Sequence, residues 1–150
     1  MPTFVGTQNN RAQHNSSASG NTWSDNNAVV ISTALTTADV VVAMQIPAGT
    51  ELSTVRYRNG DADTGTGVLA VNIGYRSRMA GGSLVAAPTF FAAASATFAA
   101  PNAGWIELVF PVVKFNEAAE IVLVPTVGAN ALGAPATLNF QASGLVIGIT

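Results

Sequence analysis

Few residues in this chain have the type and spacing that chemistry requires. His14 is the only histidine among 150 residues, and it lies in a stretch of Asn, Ser, Gln and Gly. A Ser-His-Asp relay would need that polar stretch to dock permanently, whereas catalytic groups sit on rigid elements. The eight carboxylates fall mostly at turns or strand ends, and nothing singles out two of them as a glycosidase pair. The absence of cysteine removes disulfides, thiol nucleophiles and thiolate metal sites, and leaves the redox compartment open. The nearest approach to a metal motif is Asn59-Gly60-Asp61-Ala62-Asp63-Thr64-Gly65, whose alternating oxygens resemble the first half of a calcium loop. That loop needs Gly at its sixth position and Glu at its twelfth, where Thr64 and Ala70 stand. A turn held by Asx hydrogen bonds is the better reading. Gly65-Thr66-Gly67 lacks the lysine and helix start of a phosphate loop. The expectation is a chain with no catalytic residue, no metal site and no cofactor.

The remaining chemical cluster is basic. Arg56, Arg58, Arg76 and Arg78 are four of the five arginines, and Lys114 is the only lysine. In Leu52 to Arg58, Val55 and Tyr57 alternate with Arg56 and Arg58. In Val68 to Arg78, Leu69, Val71, Ile73 and Tyr75 alternate with Asn72, Gly74, Arg76 and Arg78. The two runs flank one glycine-rich loop, 59–67, and read as an antiparallel hairpin with one apolar face. Parity then puts all four arginines on its other face, either simply solvated or as a protein-docking patch, since arginine is enriched at interfaces.

The elements that would hold these residues are β-strands. Residues 1–27 form a polar arm with Phe4, Val5 and Trp23 as its possible anchors. Such an arm is either a frayed tail or a segment ordered on a neighbouring subunit. Residues 28–150 form the folded domain. Ala28 to Ser32, Asp39 to Ile46, the two arginine-bearing runs, Trp105 to Phe115, Glu120 to Val127 and Pro135 to Ile149 are strand candidates. Pro111 marks an edge or a bulge. Phe90, Phe91, Ala94 and Phe98 fall near helical spacing, so Pro88 to Ala100 is expected as one short helix or a buried loop. Short strands, frequent turns and no long amphipathic helix point to an all-β antiparallel sandwich, jelly-roll-like, with an N-terminal arm and at most one short helix.

Composition narrows the function. Charged residues are 9% of the chain against roughly 25% in ordinary domains, apolar residues are 49%, and the net charge is -2. Weak, slightly acidic charge argues against nucleic-acid binding. Mean hydropathy of +0.37 raises the question of a membrane. The uncharged stretches Met79 to Ile106 and Ile121 to Thr150 are broken by Gly, Pro and Asn, and neither should span a bilayer. Residues 1–20 lack the basic and apolar regions of a secretory signal.

Several short motifs occur in a telling order: Thr36-Thr37-Ala38-Asp39-Val40, Ile46-Pro47-Ala48-Gly49-Thr50, then Asp61-Ala62-Asp63-Thr64-Gly65-Thr66-Gly67. Val71-Asn72-Ile73-Gly74-Tyr75 and Phe91-Ala92-Ala93-Ala94 follow. Over residues 35–127 this order resembles small structural proteins of tailed bacteriophages, of the capsid cement or decoration type. The resemblance implies a jelly-roll-like, non-enzymatic protein, dimeric or trimeric, that binds the major capsid protein. It carries over no site residue, and the arginines are not part of its pattern. The expected location is the capsid surface of the virion, after synthesis in the host cytoplasm. A second reading is a carbohydrate-binding module or tail-associated adhesin, with Trp23, Trp105, Tyr57 and Tyr75 as candidate sugar contacts. Tyr57 and Tyr75 fall on the expected core face, which weakens it.

Overall fold

Period-two alternation marks β-strands that bury one row of side chains and leave the other outside, as over Thr22–Ile31, Thr50–Asn59 and Ala136–Val146. Val40–Ile46 and Ala119–Val127 are instead apolar runs buried on both faces. The computed structural model describes residues 3–5, by their backbone, and residues 22–148. In chain order the strands are β1 (Thr3–Val5), β2 (Thr22–Ile31), β3 (Val40–Ile46), β4 (Thr50–Asn59) and β5 (Ala70–Ser77). They continue as β6 (Ala87–Ser95), β7 (Asn102–Glu107), β8 (Val113–Phe115), β9 (Ala119–Val127) and β10 (Ala136–Val146). The only helical element among the described residues is a 3-10 turn, Thr97–Ala99. One sheet has the order β1-β3-β9-β5-β6 and the other β2-β10-β4-β7, with β8 also on β4. All pairs are antiparallel except β1 with β3. Strands β2 to β5 alternate between the two sheets, and β9 and β10 return between them. The result is the double-sheet, Greek-key arrangement of a jelly roll.

The inner faces of both sheets share one core. Tyr57 of β4 stacks on Phe98 and Phe140, with ring centroids 4.8 and 5.7 Å away. Its hydroxyl meets Thr97 Oγ1 at 2.6 Å, so the buried polar end is satisfied. Toward the other end Tyr75, Phe90, Phe91, Phe110 and Phe115 meet mainly edge to face, at 4.8 to 6.3 Å.

Three sequence expectations change here. Strands β4 and β5 are not a hairpin: they lie in opposite sheets, joined by loop 60–69. Pro88 to Ala100 is neither helix nor loop, but mostly the edge strand β6 followed by the 3-10 turn. Its phenylalanines serve separate parts of the core, Phe91 from the strand and Phe98 from the turn, so their helical spacing is coincidental. Registry breaks in the β5–β6 pair absorb the extra residues of β6. Gly74 makes this possible, because a Cβ there would collide with the backbone of Ala87 and Pro88. Finally, β2 begins at Thr22, six residues before the run that starts at Ala28, and Trp23 is 2% exposed in the core. Pro111 lies between β7 and β8, where the strand expected over 105–115 divides.

The motif-bearing turns are hydrogen-bonded braces. Thr36 N and Oγ1 donate to Asp39 Oδ2 at the entry to β3. Gly49 N donates to Phe115 O, and its own carbonyl accepts from Ile147 and Gly148. Asp61 Oδ1 accepts from Asp63 N at 3.0 Å, an Asx turn. The Asp63 side chain, in a residue only 2% exposed, accepts five backbone N–H groups. Oδ2 takes those of Val68 and Leu69, and Oδ1 those of Gly65, Asn130 and Ala131, all between 2.8 and 3.3 Å. Burial by itself raises the pKa of this carboxyl, but the donors of Asn130, Ala131, Val68 and Leu69 outweigh it and hold it below the ordinary value.

Because the folded-state pKa of Asp63 is the lower one, its contribution is complete above the unfolded value and fades as pH falls through the folded one. Asp63→Asn should cost ~2 kcal/mol or more near neutral pH, since an amide nitrogen cannot accept and two or three part-buried or buried N–H donors lose their partner. In urea titrations the gap between the two proteins should narrow as pH falls from about 5 toward 2. A gap that stays constant with pH would refute the role of the charge.

Candidate interaction surfaces

Outward-facing side chains of the β2-β10-β4-β7 sheet stand in rows across the strands. Pairing aligns Asn26 with Gln141, Gln141 with Arg56, and Arg56 with Glu107. The neighbouring rows are Ser24, Ser143 and Thr54 on one side, and Ala28, Asn139 and Arg58 on the other. Trp105 of β7 completes the second of these. Between the rows runs an open groove of about 400 Å³, lined by Ser24, Asp25, Asn26, Thr54, Arg56, Glu107, Gln141 and Ser143. An adjoining hollow of about 220 Å³ is lined by Asn26, Arg58, Trp105, Asn139 and Gln141.

This face is pre-organised by its own contacts. The Arg56 and Arg58 guanidiniums each lie 5.0 Å from the centroid of the Trp105 ring. Such cation–π contacts at an exposed site are worth ~0.5–1 kcal/mol. Arg56 Nε donates to Gln141 Oε1 at 2.8 Å. Trp105 stays 38% exposed, whereas Trp23 and Tyr57 are core residues and Tyr75 packs against the core. Of the four aromatic residues weighed for sugar contact, Trp105 alone stands on an outer face.

The four arginines therefore do not share one surface. Arg76 of β5 belongs to the other sheet, where its Nε donates to Glu120 Oε1 of β9. Arg78 follows β5 and is exposed, with its backbone N–H on Ala118 O. Sequence parity was correct strand by strand, but it could not tell which strands were neighbours. His14 and the side chains of Phe4 and Val5 lie outside the described residues. The backbones of Phe4 and Val5 pair with Val41 and Val42. Among the described residues no three His, Asp or Glu side chains gather as a metal site.

A second surface is apolar and formed by loops. Val109 in loop 108–112 is 94% exposed and Val85 in loop 78–86 is 81% exposed, with Met79 and Val112 also largely uncovered. Both loops ride on the same aromatic end of the core. Phe110 lies 4.8 Å from Phe91 and 6.2 Å from Phe90, both in the strand that loop 78–86 enters. Glu117 braces this loop: it accepts from Ser77 Oγ, from Leu84 N at 3.0 Å, and from Ser83 Oγ and N at 2.8 and 2.9 Å. With Ser77 as the largest influence, these donors lower its pKa to about 2. Exposed valines on a braced loop were not legible as a surface, because sequence marks them only as apolar.

Chains from two bacteriophage capsids share this architecture. One belongs to the cyanophage Pam1 capsid asymmetric unit, with TM-score 0.65 and 17% identity over 93% of this chain and 94% of that one. Another belongs to the capsid of Ralstonia phage GP4, with TM-score 0.69 and 16% identity over 96% and 97% of the two chains. What they share is the fold. No protein-family model and no curated protein matches the chain.

The brace predicts a local effect. In Glu117→Ala, hydrogen exchange at the Ser83 and Leu84 amides should accelerate about tenfold or more while β9 keeps its protection. In the parent protein the brace should persist down to about pH 2, where the carboxylate is protonated. Unchanged exchange in the variant would show that the loop is held by other contacts.

Proposed function

We propose that this chain is a non-enzymatic structural protein of a bacteriophage virion, a cement or decoration protein that binds the major-capsid lattice and stabilises it. The observation that carries the reading is a jelly roll matched, over more than nine-tenths of both partners, by chains from two phage capsids. The order of turn motifs over residues 35–127 points the same way. Low charge with exposed valines suits a protein that works packed against others, since such a surface is a solubility liability in a free monomer.

The mechanism is multivalent attachment. Each copy contributes a modest contact, and repetition over the lattice converts weak binding into durable attachment. Loops 78–86 and 108–112 supply the apolar contact to the major capsid protein, and Arg78 beside Met79 supplies a directed polar one. Arg56 and Arg58 lie on the outer face of the β2-β10-β4-β7 sheet. The N-terminal segment, of which Thr3–Val5 lies on β3 of its own chain, acts as an arm across subunit joints, and the protein forms a dimer or trimer on the capsid surface after synthesis in the host cytoplasm.

The paired substitution Val85→Asp with Val109→Asp should leave the folded protein intact, because both side chains are exposed. It should weaken co-sedimentation with shells of the major capsid protein about tenfold or more, by placing unpaired charges in an apolar contact. Removal of residues 1–21, which spares Trp23 but takes β1 from the edge of β3, should also weaken attachment. Undiminished attachment by the paired variant would exclude the rim as the docking surface, and no attachment by the parent protein would sink the proposal as a whole.

A further inference from the structure

The groove across β2, β10, β4 and β7 has no part in that docking scheme, and its chemistry is specific. Four strands at the usual spacing make each row ~14 Å long, enough for a short chain of sugar units. The middle row offers an amide (Asn26), an amide (Gln141), a guanidinium (Arg56) and a carboxylate (Glu107) side by side. Each is a planar group with two donor or acceptor atoms, the shape that engages two neighbouring hydroxyls at once. Ser24, Thr54 and Ser143 add hydroxyls along one flank.

Much of this polar capacity is uncommitted. Gln141 uses Oε1 to hold Arg56, which leaves both of its amide N–H donors. Asn139, Glu107 and Arg58 make no side-chain hydrogen bond among the described residues, and the Arg58 guanidinium lies over the Trp105 ring. Trp105 adds a partly exposed apolar ring to a polar floor, with the Arg56 and Arg58 guanidiniums 5.0 Å from its centroid. Charges of both signs line the groove, Arg56 and Arg58 with Glu107, while Asp25 alternates to the inner face with Trp23 and Asn27. A polyanion would meet the Glu107 carboxylate beside Arg56, whereas a neutral polyol meets donors and acceptors in one row.

We infer that this face is a binding site for neutral oligosaccharides, with Gln141, Arg56, Asn139 and Glu107 hydrogen-bonding ring hydroxyls and Trp105 packing on the apolar side of a sugar. A capsid-bound protein with such a face would hold the particle to polysaccharide. The inference stands on the groove alone, and failure of capsid attachment would leave it intact.

The test is titration of the full chain with cello-, chito-, malto- and manno-oligosaccharides of four to six units. A hexa-aspartate peptide and an oligogalacturonate serve as comparators, and heat and tryptophan emission are read together. Trp23 is buried in the core, so a change in emission reports Trp105. At least one neutral series should bind with a Kd between ~10 μM and ~1 mM. Trp105→Ala and Gln141→Ala, both on the outer face, should each weaken it about tenfold or more while circular dichroism stays unchanged. Should one variant fold poorly, Asn139→Ala gives the same reading. Absence of binding by every neutral series up to ~10 mM would overturn the inference. Binding unaffected by these substitutions, or binding only of the acidic comparators, would do the same.

Discussion

The architecture depends on getting the chain from one sheet to the other between β4 and β5, and a single carboxylate makes that crossing possible. Loop 60–69 starts and ends in the core, at Ala62, Asp63 and Leu69, with exposed residues between, and its backbone N–H groups need partners where they are shielded from water. Asp63 collects five of them, three from its own loop and two from the loop between β9 and β10. One charge thereby ties two connections at the same end of the sandwich and fixes where β5 enters the opposite sheet. Asn59 continues the brace: its amide donates to the carbonyls of Gly60, Thr97 and Ala100 and seats the 3-10 turn that delivers Phe98 onto Tyr57.

With the crossing fixed, the two sheets acquire different outer faces from one alternating rule. On β3 and β9 the outward residues are the valines Val40, Val42 and Val122, a small cluster of their own. On β2, β10 and β4 they are amides, hydroxyls and arginines. The aromatic cluster at the far end supports the loops that expose Val85 and Val109. A chain with only 9% charged residues thus lines up amides, hydroxyls and arginines on one sheet and exposes its most uncovered valines, Val85 and Val109, on two loops.

Much of this was legible from the order of residues. Strands β3, β4, β5, β9 and β10 announce themselves by alternation or by apolar runs between turn residues, and Pro111 marks the break between β7 and β8. The loop at 59–67 was read as an Asx turn rather than a calcium loop, and the carboxylate oxygens of Asp63 are indeed engaged by backbone N–H groups. The helical spacing of Phe90, Phe91, Ala94 and Phe98 misled, because a bulged edge strand followed by a 3-10 turn places phenylalanines at similar intervals. Strand β2 was hidden for a more instructive reason. Ser24 and Asn26 made residues 22–27 look like a polar arm, and these residues line the groove.

The sequence alone determined that the chain is all-β, that the loop at 59–67 turns on Asx hydrogen bonds, and which face of the two arginine-bearing strands is apolar. Those are local properties, set by period-two alternation and by a bond such as Asp63 N to Asp61 Oδ1. The bonds of Gly49 to Phe115, Ile147 and Gly148 and of Asp63 to Asn130 and Ala131 needed the fold. Tertiary structure decided which strands are neighbours, and so which side chains share a surface. That choice split the four arginines between two sheets and put Arg56 and Arg58 beside Trp105, nearly fifty residues away in the chain. Strand pairing depends on how two whole sheets close over a common core, and no local pattern encodes it.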